Sequence, residues 1–508
     1  METEDRLIPW LLIAALVAGV SGDLLLNTPV WGIGFSAWGI VLLALLLALE
    51  RMKGAFPPPD LLAVGVLGGL CALCLAWRDS ASLSFANVLA FFFAAGVMTL
   101  RARPLSRAPI ALYLQGFILH GLHAAAGLPM LGLKDLPAWR RSHPSGPVRI
   151  LPLFRGTLLA LPLLVFFGAL LAAADASFQF LLEQILDIPE IIRHVFVAGF
   201  FCWLVGGVLR GRHCASEVPL PGERPKFLHV GTTESAIVLG ALNILFGLFV
   251  VLQLPYFFGG HQTVLGTPSL TYAEYARRGF FELIGVVGFA IPLLLLVEWL
   301  SFREGNARLF RVLGGTMVVL LGSIMASAVW RLWLYVERFG LTEARLNASA
   351  VLAWLGVVLL WFCATVLAGR RERFTYGAVI AGYAVLLFLN LGNPGAIVAR
   401  TNIARASAGV PFDARYNVTL GADAVPDLVA RLGALQEAER DEVSWELLSR
   451  YGQGGYTFSR GWNAGLARAY SCVEAEKDWL RSFLVPRKTP SSQAQAGCVK
   501  QPPISPVQ

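Results

Sequence analysis

A run of about 20 mostly apolar residues leaves a chain few options: its backbone must satisfy itself in a helix, and a bilayer is the solvent that tolerates its surface. Such runs stand at 7–26, 31–49, 61–77, 84–100, 156–174, 191–209, 233–255, 279–300, 312–330, 348–368 and 374–391. The predicted fold is all-α, a polytopic transmembrane bundle of eleven spans with a small C-terminal helical domain. A twelfth candidate, Pro109 to Leu131, is long enough but carries Gln115, His120 and His123 and is broken by glycines. Composition agrees, with 15% charged residues against about 25% in soluble proteins. The net charge of +8 sits in short clusters between apolar runs, the pattern of topology signals rather than of a nucleic-acid groove. Nucleic acid is therefore not an expected partner.

Lys and Arg in short loops set orientation. With the N-terminus cytoplasmic and Pro109 to Leu131 lying along the surface, 21 such residues face inward and 7 outward before the C-terminal tail. If that segment spans instead, the division is 12 to 16. The first arrangement is expected, with an uncleaved first span and an external C-terminus. It divides the chain into a four-span bundle (1–100), a basic cytoplasmic or interfacial segment (101–155), a seven-span core (156–392), an extracytoplasmic helical domain (393–485) and a disordered tail (486–508). Lys134, Arg140, Arg141 and Arg149 suit anionic lipid headgroups, with simple topology determination as the plainer reading. Cys472 and Cys498 fall in the external part and are candidates for a disulfide, or for two free thiols. In the C-terminal part, Asp423 is placed to cap a helix carrying Val425, Leu428, Val429, Leu432 and Leu435, and further helices are expected near 437–450 and 461–484.

Polar groups near the ends of spans are where binding is sought, because they are costly in lipid. Gln253, Tyr256, Arg277, Arg278, Glu282, Arg331, Asn393, Arg400 and Asn402 all fall at predicted external ends. They form a candidate polar mouth, with arginines available to an anionic ligand and helix capping as the plain alternative. Asn243, deeper in its run, reads as a link between helices. No Walker loop, HExxH, GxSxG or metal-spaced Cys/His cluster occurs, so no metal, cofactor or catalytic residue is expected. Asp23, in the first external loop, is the one acid that an enzyme acting on lipid-linked substrates would use there.

The stretches YAEYARRGFFELIGVVGFAIPLLLLVEWL (272–300), LNLGNPGAIVARTNIARA (389–406) and GADAVPDLVARL (421–432) resemble a bacterial polytopic-membrane family known only as a domain of unknown function, family 4173. The likeness covers roughly residues 155 to 450. It implies a multi-pass protein of the bacterial inner membrane and brings no activity, cofactor or site residue. NPGA stands where the resemblance implies an acidic residue after NP, so that turn offers no catalytic acid. The expectation is a non-enzymatic membrane module that binds an envelope partner or anionic ligand at its external face. A transporter or lipid flippase is the alternative, and a membrane enzyme the third reading.

Overall fold

The computed structural model describes residues 7–28, 30–52, 57–98, 104–137, 139, 167, 171, 175, 188–213, 231–258, 280–301 and 307–484, excepting the side chains of 188, 189, 254–258, 301 and 307. The described residues hold seventeen α-helices and no strand. Eleven segments are long and apolar enough to cross a membrane. Ten coincide with predicted runs: α1 (Ile8–Leu26), α2 (Ile33–Met52), α3 (Pro59–Trp77), α4 (Ala81–Met98), then, past α5, α6 (Ile188–His213), α7 (Thr232–Phe258), α8 (Phe280–Ser301), α9 (Ala307–Phe339), α10 (Glu343–Phe362) and α11 (Phe374–Gly392). The eleventh is α5 (Ile110–Met130) with its extension to Asp135. The predicted run at 156–174 lies outside the described residues, two isolated positions (167 and 171) apart.

Helices α1 to α4 run up and down, so the start of α1, the end of α2, the start of α3 and the end of α4 share one end of the bundle, here called basal. Helix α6 is antiparallel to α1: His194 meets Asp23, while Gly206 lies against Ala15. Its last turn is therefore basal too. There Arg212 Nε donates to Glu50 at the end of α2 (2.8 Å) and Arg210 Nε to Asp135 (2.5 Å).

These contacts decide how α5 lies. At its start, Tyr113 Oη donates to Leu105 O, and the Ser106 N–H donates to Asp60 at the start of α3. Past its end, Asp135 is held by Arg210, and Leu136 and Trp139 enter the core that contains Ile8 and Leu49. Both ends of α5 are thus basal. It meets α4 at Phe93 and Gly96, within the last two turns, and crosses α6 so closely that a Cβ on Gly127 would overlap the Gly207 carbonyl oxygen. Length and composition qualify it as a span; its packing is that of a helix laid across one end of the bundle.

The core is divided. One cluster joins α1 to α4 and α6 around the fully buried Trp38, Phe35 and Phe91. A second joins α7 to α10 around Leu294, Met317, Leu321 and Phe362. Helix α11 connects them, packing Phe374 edge-to-face with Phe362 and donating from Tyr383 Oη to Ala90 O of α4 (2.7 Å).

The remaining helices build a third core. They are α12 (Pro394–Ser407), α13 (Ala414–Val418), α14 (Val425–Arg431), α15 (Glu437–Tyr451), α16 (Ala464–Ala475) and α17 (Lys477–Arg481). Four of their starts are marked by capping side chains: Asn393 on Ala396 N–H, Asp413 on Tyr416 N–H, a Gln436/Glu439 capping box, and Asn463 on Gly465 and Leu466 N–H. The long helix expected at 461–484 is two helices that start at Ala464 and Lys477. Asp423 caps nothing; α14 starts from Ala424 with no side-chain cap.

Candidate functional site

The C-terminal helices α12 to α17, here called the cap, sit on the distal end of the bundle, opposite the basal one, and the joint is made by the three-residue turn between α3 and α4. Leaving an apolar span, the chain reads Arg78, Asp79, Ser80. Arg78 turns inward and is 5% exposed. Its Nε donates to Asn390 O (2.6 Å) and its Nη2 to Leu391 O (3.1 Å), so it satisfies carbonyls of the last turn of α11 that have no partner within that helix. A cation there also meets the negative end of the helix dipole. The guanidinium lies 4.4 Å from the Trp77 ring centroid and reaches Asp423 Oδ1 at 3.4 Å.

Asp423 is 5% exposed and is the hub of the joint. Its Oδ2 accepts the Asp79 N–H (2.6 Å), its Oδ1 pairs with Arg468 of α16 (3.2 Å) as well as Arg78, and its carbonyl accepts from Asn393 Nδ2 (3.1 Å). Asp79 replies by accepting the Ala422 N–H (2.8 Å). The two strands of this clasp come so close that Gly421, at φ +81°, has no room for a Cβ beside Asp79 O. Burial pushes the Asp79 carboxyl above its ordinary range, against the Ala422 hydrogen bond, and the Asp423 charge adds to the rise. Burial depresses the Arg78 guanidinium, and Asp423 opposes that; an arginine stays charged regardless.

Asn463 joins two helices at once. Its Oδ1 caps the start of α16, and its Nδ2 donates to Leu75 O (2.7 Å) and Arg78 O (2.6 Å) at the end of α3. Asn87 of α4 and Asn390 of α11 exchange amide hydrogen bonds at 2.9 and 3.0 Å just inside. Glu343, the first residue of α10, donates its N–H to Tyr416 Oη (2.8 Å), and its buried Oε1 has no hydrogen-bond partner among the described residues. The chemistry on offer is ion pairing and main-chain recognition, with two carboxyls, Asp79 and Glu343, that make no ion pair with a described residue.

Of the nine residues proposed for the mouth, those whose side chains the structure describes fall into separate groups. Gln253 and Arg331 do meet: Arg331 Nη2 donates to Gln253 Oε1 (2.7 Å), with Ser327 on the same oxygen (3.2 Å), all three buried between α7 and α9. Two to three turns nearer the basal end, Asn243 donates to Leu313 O (2.9 Å), a link between the same two helices. Glu282 is exposed in the first turn of α8. Asn393, Arg400 and Asn402 belong to the distal joint: Asn393 caps α12, Arg400 forks onto Asp427 (2.6 and 3.0 Å), and Asn402 ties Leu341 and Asn417. The Tyr256 side chain, Arg277 and Arg278 lie outside the described residues, as do Arg140, Arg141, Arg149 and Cys498. Lys134 is exposed beyond the end of α5, and Cys472 is half-buried in α16. Arg78, Asn463 and Arg468 were not among the expected site residues. A charged turn directly after a span, R-D-S, stands at the joint, but in the sequence it reads equally well as a topology signal.

A family model described as "Domain of unknown function (DUF4153)" matches residues 62–430. The chain belongs to this family. Its number is 4153 rather than the 4173 of the resemblance, and a domain-of-unknown-function family is what that resemblance named. The match begins within the first turn of α3 and stops one residue short of the end of α14, so it takes in Arg78, Asp79, Asn390 and Asp423 and ends before Asn463 and Arg468. No curated protein and no solved structure matches the chain.

Proposed function

We propose that this DUF4153 member is a non-enzymatic module of the bacterial inner membrane. Its N-terminus is cytoplasmic, and it holds residues 393–485 as a helical domain outside the cytoplasm for an envelope partner or an anionic ligand. The observation that carries the reading is the joint itself. A buried arginine binds the end of α11 and the hub carboxylate of the cap together, an arrangement suited to presenting a domain in one fixed orientation. The basic basal loops, Lys134 among them, face anionic lipids on the cytoplasmic side.

The test is complementation in a strain lacking the gene. The chain without residues 421–485 should insert and accumulate yet fail to complement, while the ion permeability of vesicles carrying the full chain equals that of empty vesicles. Complementation by the shortened chain would sink the reading.

The second reading, a transporter or lipid flippase, has one observation in its favour. Arg331 and Gln253 form a buried polar contact inside two spans, where a charge is costly. Loss of a measured flux in Arg331→Ala at normal expression would favour it over the module.

A further inference from the structure

Between the last turn of α1 and the first turns of α6 lies a cavity of about 430 Å³ that the joint does not use. Its walls include Trp31, Phe196, Phe200 and Phe201, and its polar lining includes Asn27 and Arg193. The walls are tied to the core: Trp31 stacks on Phe35 (centroids 5.5 Å apart), and Phe201 packs on Trp38 (5.3 Å). The polar side is equally constrained. His194 Nδ1 lies 2.8 and 2.7 Å from the two Asp23 oxygens, Asn27 Nδ2 donates to Asp23 Oδ1 (3.1 Å), and Arg193 Nη1 donates to Asn27 Oδ1 (2.7 Å). Arg193 and Glu190 pair at the rim, each about half exposed. The hollow is preformed, mostly apolar, and sited where two spans end, at the depth of lipid headgroups.

Charge decides what fits. Among the described residues the cluster holds Asp23 and Glu190 against Arg193 and His194, so neither protonation state of His194 gives it a net positive charge. A headgroup of one sign must face a like charge at the Glu190/Arg193 rim. A zwitterion can lay its phosphate on Arg193 and its ammonium toward Glu190, with aromatic faces that also attract cations.

We propose that the α1/α6 cavity binds a zwitterionic phospholipid, an ammonium-bearing phosphodiester headgroup with its first acyl carbons against Phe196 and Phe200. The site is separate from the distal joint and does not depend on the module reading.

The full chain, reconstituted with equal amounts of phosphatidylethanolamine and phosphatidylglycerol and then stripped stepwise with detergent, should retain about one lipid. That lipid should be enriched about fivefold in phosphatidylethanolamine, the ratio one exposed ion pair can supply. Val197→Trp, which fills the cavity, should bring retention to the bulk ratio. Glu190→Gln, a change at the exposed rim that leaves folding intact, should shift retention toward phosphatidylglycerol. Retention at the bulk ratio in the unaltered chain, enrichment of phosphatidylglycerol there, or an unchanged preference in Glu190→Gln would each overturn the proposal.

Discussion

Replacing Arg78 by Met keeps most of the side-chain volume and removes the charge from the distal joint. Asn390 O and Leu391 O lose the Arg78 donor, and Asp423 Oδ1 loses one of its two guanidinium partners. Breaking a buried ion pair by deleting one partner costs about 3–5 kcal/mol, because the other charge stays buried. Here the lower end applies, since Asp423 keeps the Asp79 N–H and Arg468. A cost of about 3 kcal/mol raises the population of the undocked cap by roughly 100-fold. The assay is amide hydrogen exchange over residues 414–475 in detergent or nanodiscs. Protection there should fall by that factor in Arg78→Met, while α8 and α9 keep theirs. Removing both charges, as Arg78→Met with Asp423→Leu, should recover part of the loss, because no uncompensated Asp423 charge then remains in the joint. Protection within threefold of the unaltered chain in the single variant would show that the joint does not hold the cap, and the argument built on it would fail.

Three further outcomes follow from the same geometry. Asn463→Ala should cost about 1–2 kcal/mol of docking, and Asn463→Asp should restore protection at the start of α16 without restoring the docking, since a carboxylate can cap α16 but cannot donate to Leu75 O and Arg78 O. Asp79 is raised in the docked state, so docking binds the proton more tightly: its contribution is fully present below the ordinary aspartate value of about 4 and is lost as pH rises through the raised value. Protection of the cap should decline over that window and level out in Asp79→Asn, as read by exchange at several pH values. Reporter fusions after Pro104 and after Pro137 should report the same side of the membrane, because both ends of α5 are basal; opposite sides would show that α5 crosses.

Ten of the spans were legible because 20 apolar residues admit one solution in lipid, whatever their neighbours do. The lie of α5 was harder to read, since its composition satisfies a span as well as a surface helix. What decides it is distant in sequence: Asp135 finding Arg210, and Gly127 finding Gly207. The joint was hidden for the same reason. In the sequence Arg78 is one charge in a short loop, indistinguishable from a topology signal, and its partner Asp423 is 345 residues away. Asp423 itself looked like a helix cap because a cap is what an isolated Asp before an apolar helix does; here a stronger claim on its oxygens, two guanidinium groups and an N–H, prevails. Asn393, Arg400 and Asn402 were expected at or just beyond the end of a span; Asn393 stands at the end of α11 and the other two within α12, and only the folded chain shows where their hydrogen bonds go.

The loop between α1 and α2 carries a consequence for biogenesis. The Ile33 N–H bonds Trp462 O and the Gly34 N–H bonds Arg460 O, so the opening residues of α2 are completed by a segment more than 400 positions later. A ribosome emits residues 459–463 only after every span has left it. Until then Ile33, Gly34 and the carbonyls of Leu75 and Arg78 lack their final partners and must be served by water. The distal end therefore closes last, and an interrupted chain leaves the insertion machinery with a bundle whose first half is as unfinished as its second.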